Sequence, residues 1–192
     1  MISLLARIFI RDSRNYQDSS VRTGYGMLCG IVGIVFNIIL FAIKFLAGIL
    51  TGAVSVTADA FNNLSDAGSS VVTMLGFKMS CQKPDSDHPF GHGRIEYISG
   101  FIVSIIIMIV GFELGKASFQ KIISPEAPEF SITAVLILLV SIAVKFYMFL
   151  YNRSVAKKID SAALGAVSYD SISDCVATLA VLVCMLINKF FT

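Results

Sequence analysis

Long apolar runs, each interrupted by only a few polar positions, alternate with short polar segments along this chain. A bilayer-spanning helix needs about 20 mostly apolar residues, and five stretches meet that length. The first runs from about Tyr25 to Leu50, with Asn37 and Lys44 inside it. Thr51-Gly52 reads as a tight connection to the second span, about Val54 to Met79, which carries Asp59, Asn62, Asn63 and Asp66. Residues 80–92 form a polar loop with two prolines, and a third span follows from about Ile95 to Ile123. After the loop SPEAPEF comes a fourth span, about Ser131 to Tyr151, then the basic connection NRSVAKKID. The fifth span, about Ser161 to Phe190, holds Asp170 and Asp174. The pattern predicts an all-α, polytopic transmembrane helix bundle of five spans, without internal repeats.

Composition supports that reading. The 192 residues are 56% hydrophobic and only 15% charged, against about a quarter charged in soluble chains. The net charge of +2 is too small to point to nucleic acid. Cys29, Cys81, Cys175 and Cys184 show no CxxC spacing and read as free thiols. Arg7 and Arg11 break the N-terminal apolar run, so it is a poor signal peptide. Residues 2–10 fit either an amphipathic segment on the membrane surface or a disordered tail, and residues 1–22 are taken as a cytoplasmic N-terminal segment ahead of a membrane domain at 23–192. With the N-terminus in the cytoplasm, the inside segments hold Arg7, Arg11, Arg14, Arg22, Lys78, Lys83, Arg94, Arg153, Lys157 and Lys158, and the outside segments only Lys116, Lys121 and Lys189, as the positive-inside rule requires. Five spans then leave the C-terminus outside.

Acids inside the spans carry the chemistry. An ionisable group at bilayer depth costs about 2.5–3.5 kcal/mol on insertion scales, so it needs a partner or a task. Asn62 and Asp66 are four residues apart and share a helix face. Asp170 and Asp174 repeat that spacing, and helical rise places both pairs near mid-bilayer. Clustered carboxylates must hold protons or a cation, which is the basis of a proton-coupled metal carrier. The competing reading pairs these acids with Lys44 or Lys145, the two basic residues deep in the spans; three acids on two helices favour the metal. Asp59 fits a ligand or a helix-end role equally, and Asn62 or Asn63 alone could be helix–helix glue. The oxygen-only donor set suits Mn²⁺, Mg²⁺ or Fe²⁺ better than zinc. In the loop DSDHPFGHGRIE, Asp85, His88 and His92 have ligand-like spacing, with Asp87 and Glu96 near. A polar, helix-capping loop explains those residues equally well.

Three segments, TGAVSVTADAFNNLSDAGSS, DHPFGHGRIE and SYDSISD, occurring in that order, make the region 25–190 resemble the cation diffusion facilitator family. The resemblance implies a homodimeric exporter that exchanges a divalent metal for protons across an inner or plasma membrane. It implies a transport site at Asn62, Asp66, Asp170 and Asp174, and a second cytoplasmic site, known in some zinc members, at Asp85, His88 and His92. Zinc members typically carry His at the position of Asp170; Asp there, with Asn62 opening the first pair, is similar to the manganese-exporting branch. Family members usually add a sixth helix and a cytoplasmic metal-binding domain, both absent here, so the expectation is a fragment, an incomplete gene product or a natural short form. The expected function is Mn²⁺/H⁺ antiport by alternating access, with the metal as cargo and no cofactor. Its alternatives are a zinc, iron or cobalt exporter of the same family and a non-transporting membrane partner. A membrane enzyme ranks last: the sequence shows no nucleophile with a base, no phosphate loop and no HExxH.

Overall fold

The computed structural model describes residues 6, 10, 15, 16, 18–51, 54–82, 89–123 and 131–191. Five long helices account for nearly all of them: α1 (Ser19–Thr51), α2 (Val54–Ser80), α3 (Ile95–Ile123), α4 (Ile132–Ile159) and α5 (Ala162–Phe191). Four helices, α1, α3, α4 and α5, are long and apolar enough to cross a bilayer. The 27 residues of α2 span about 40 Å at 1.5 Å per residue, which is also long enough, and its lower apolarity comes from the polar positions that make it interesting. The architecture is an all-α, polytopic membrane bundle.

Polarity is distributed inside out relative to a soluble protein. Ile38, Phe101, Met108, Phe112, Leu136 and Val176 face outward, while Asn37, Lys44, Asp66, Thr73, Lys145 and Asn152 are buried. Lipid solvates the first set but cannot satisfy the second. Many buried hydroxyls bond back to their own helix: Ser70 to Asp66 O, Thr73 to Ser69 O and Ser171 to Val167 O, each at 3.0 Å.

The helices pack in a ring, α1 against α2, α2 against α3, α3 against α5, α5 against α4 and α4 against α1, while α2 and α5 meet only sparsely across its middle. A stripe of small residues on α1 sets the closest approach. A Cβ at Gly30 would lie 2.8 Å from Met74 Cβ, and one at Gly33 would lie 2.8 Å from Ser70 Oγ, while Gly26 lies against the Phe77 ring. Such stripes let membrane helices touch backbone to backbone. Gly100 does the same for α3 against the Ala163 backbone of α5.

The α4–α5 corner corrects the sequence reading. NRSVAKKID is not a connection, because α4 continues through Ile159 and only Asp160 and Ser161 join it to α5. The reason is an amphipathic pattern that outlasts the apolar span: Asn152, Val155, Ala156 and Ile159 are buried, while Arg153, Lys157 and Lys158 are exposed. Asp160 closes the helix in the left-handed region (φ 49°), its N–H donating to Ala156 O. Ser161 then caps α5 by accepting the Leu164 N–H at 3.3 Å.

Arg22 ties this end together. Its Nη2 lies 3.2 Å from Glu96 Oε2 at the start of α3, and its Nε donates to Ile159 O at 2.9 Å, meeting a carbonyl at the end of α4. Just ahead of α1, Asp18 Oδ1 accepts the Ser20 N–H at 2.8 Å and the Ser20 hydroxyl at 2.7 Å. Those two bonds hold the Asp18 carboxyl below the usual carboxylate range. Of the expected amphipathic stretch 2–10, only Ala6 and Ile10 are described; both pack on the cluster around Tyr25, Phe77 and Met148.

Candidate metal centre

Three helices converge on one point at mid-depth. Asp66 lies 12 residues into α2 and Asp174 12 residues into α5, about 18 Å along each axis, and Lys145 lies 13 residues, about 20 Å, into α4. Because α2 and α5 start at opposite ends of the bundle, equal distances along them meet near the same level. Asp66, Asp170 and Asp174 each offer a carboxylate oxygen, and the three oxygens lie within 4.8 Å of one another. Oxygens around one divalent ion at 2.0–2.6 Å lie within roughly 5 Å of each other, so the group has the dimensions of a cation site. Asn62 completes it: its Nδ2 donates to Asp174 Oδ1 at 3.1 Å, linking α2 to α5.

The four residues expected to form the site therefore come together. A lysine stands among them. Lys145 Nζ lies 2.6 Å from Asp66 Oδ2 and 2.6 Å from Asp174 Oδ2. Its side chain is 4% exposed, against 7% for Asp66 and 13% for Asp174. The pairing set aside as too small to account for three acids engages two of them at once. The residue type and depth were visible in the sequence; that α4 would face the α2–α5 seam was not.

Asp59, Asn63 and Cys175, also considered near the site, have partners elsewhere. Lys44 Nζ pairs with Asp59 Oδ2 at 2.7 Å, seven residues, or about 10 Å, nearer the start of α2 than Asp66. That contact gives Asp59 a structural partner apart from the cluster. Asn63 is buried and donates to Asp59 O at 3.0 Å within its own helix. Cys175 is buried and its Sγ reaches Ile142 O at 3.5 Å, a packing role.

The loop site fares differently. Asp85, Asp87 and His88 lie outside the described residues. His92 is half-buried at the turn before α3, where its carbonyl accepts the Ile95 N–H at 2.9 Å. Glu96, counted as a nearby carboxylate, is instead bound by Arg22; four residues after His92 it has turned inward to the helix junction.

Residues 30–192 match the cation efflux transmembrane domain. An uncharacterized transporter of Methanocaldococcus jannaschii is 34% identical over 83% of this chain and 56% of its own length. Manganese efflux system protein MneS of Bacillus subtilis is 31% identical over 83% of this chain and 55% of its own. Magnetosome protein MamB of a Magnetospira strain is 35% identical over 73% and 48%. The chain thus spans about half the length of the curated relatives it matches. With that domain match covering α2 through α5 and most of α1, the chain belongs to the cation efflux (cation diffusion facilitator) family of membrane transporters.

Proposed function

We propose that this chain carries a divalent cation, Mn²⁺ foremost, across the inner or plasma membrane in exchange for protons, through a site made by Asn62, Asp66, Asp170 and Asp174. The observation that carries this is the convergence of three carboxylates from α2 and α5 within 4.8 Å at mid-depth. Such a set in a low-dielectric interior demands positive charge; Lys145 reaches two of the acids, and a metal ion satisfies all three at once. The donors are oxygens, which suit Mn²⁺ and other hard or borderline ions. Manganese efflux system proteins MneS and MneP are among the similar chains.

In the proposed cycle the ion enters from the cytoplasmic end and binds between α2 and α5 as protons leave the acids. The bundle then rocks to open the site to the other side, where protons displace the ion. Metal shifts the balance of the two forms only by binding one more tightly. Asp85, His88 and His92 remain a proposed second cation site on the loop, and a homodimer is the proposed assembly. The test is Mn²⁺ flux into proteoliposomes against a pH gradient. Asp66→Ala and Asp174→Ala each lower flux at least about tenfold; unchanged flux in both overturns the assignment.

A further inference from the structure

The site at the centre of the bundle holds a cation of its own. One ammonium, Lys145 Nζ, sits 2.6 Å from an oxygen of Asp66 on α2 and 2.6 Å from an oxygen of Asp174 on α5. These are the two helices between which the cargo is proposed to bind. We propose that Lys145 is a tethered counter-cation that fills the transport site when it is empty, and that the metal binds by displacing it. The inference rests on the carboxylate cluster being the metal site.

The geometry makes the two occupants exclusive. An ion that takes the same two oxygens at about 2.2 Å cannot lie more than about 4 Å from an ammonium that is 2.6 Å from each of them. The charge product is then twice that of an ordinary ion pair, and repulsive, in an interior with little water to screen it. The ammonium has to leave, and its four-carbon stem with free rotation about each bond allows it to. Lysine suits this task better than arginine, whose fixed fork would hold both carboxylates in a bidentate geometry.

The arrangement also gives the empty carrier a stable core. Without Lys145, buried Asp66 and half-buried Asp170 and Asp174 would face one another with no positive partner among the described residues, a costly state. With it, two of the three acids are compensated while no metal is bound. The same competition weakens metal binding, which favours release at the far side.

The decisive experiment is calorimetric titration of Mn²⁺ into the detergent-purified chain. Wild type is compared with Lys145→Met, Lys145→Arg and Asp66→Ala. Removing the competing charge tightens Mn²⁺ binding in Lys145→Met by about tenfold or more, equivalent to about 1.4 kcal/mol. Lys145→Arg keeps the charge and does not bind more tightly than wild type. Lys145→Gln, uncharged but polar at its tip, repeats the test if the methionine variant does not fold, and it too binds more tightly. Unchanged or weaker affinity in the uncharged variants overturns the proposal and leaves Lys145 a purely structural tie. Asp66→Ala separates the two levels: if it loses Mn²⁺ binding while the lysine variants gain none, only the counter-cation idea fails. If Asp66→Ala binds like wild type, the metal-site reading fails with it.

Discussion

The Lys44–Asp59 pair gives an asymmetric test, because its two members are buried so differently. Lys44 is 2% exposed and Asp59 32% exposed, with 2.7 Å between Nζ and Oδ2. Asp59→Ala strands an ammonium in the interior, and breaking a buried pair from one side costs about 3–5 kcal/mol. Lys44→Met leaves a carboxylate that already reaches the surface, where losing a partner costs about 0–1 kcal/mol, and methionine refills the space of the stem. At roughly 2–4 °C per kcal/mol for a chain of this size, Asp59→Ala lowers Tm by roughly 6–20 °C and Lys44→Met by less than about 4 °C. Lys44→Met combined with Asp59→Ala removes both charges, so its Tm returns to within about 4 °C of wild type. Thermal melting in a single detergent, followed by intrinsic fluorescence or loss of monodispersity, reads all three. Equal losses in the two single variants refute the reasoning, as does a double variant no more stable than Asp59→Ala. The double variant also keeps wild-type Mn²⁺ affinity if Asp59 is a structural residue apart from the metal site.

Three further outcomes follow from the packing and the donor set. Gly33→Val drives a side chain into Ser70, one turn from Asp66, and overpacking of this kind costs about 1–3 kcal/mol; a wild-type Tm would show that α1 and α2 are not held this close. Arg22→Gln loses the Glu96 pair and the bond to Ile159 O, about 1 kcal/mol after screening at a side chain one-third exposed, and speeds hydrogen exchange at residues 156–161. Asp170→His adds an imidazole to an oxygen set, so competition binding shifts toward Zn²⁺ relative to Mn²⁺; an unchanged order argues against Asp170 as a ligand.

The helices were legible because lipid imposes a length and a polarity that few other environments share. The meeting of Asn62 and Asp66 with Asp170 and Asp174 was legible too, since i, i+4 spacing fixes a face and distance from the turns fixes a depth. Lys145 shows where that reasoning stops. Its depth matched the acids, but which way α4 turns depends on Leu138, Met148 and their neighbours finding partners across the bundle, a tertiary choice that spacing does not encode. Hydropathy ended the fourth span at Tyr151, whereas amphipathic packing by Val155, Ala156 and Ile159 carries the helix two turns further. Glu96 looked like a loop ligand because His92 is four residues away; Arg22, 74 residues earlier, claims it instead.

Anomalous diffraction from Mn²⁺-loaded crystals reads the cargo's position directly. The account predicts one peak at mid-bundle, with oxygens of Asp66, Asp170 and Asp174 at about 2.2 Å and the Lys145 ammonium moved off Asp66 and Asp174. A bound ion elsewhere, or one at this level that leaves Asp66 uncoordinated and Lys145 still bridging α2 to α5, would contradict it.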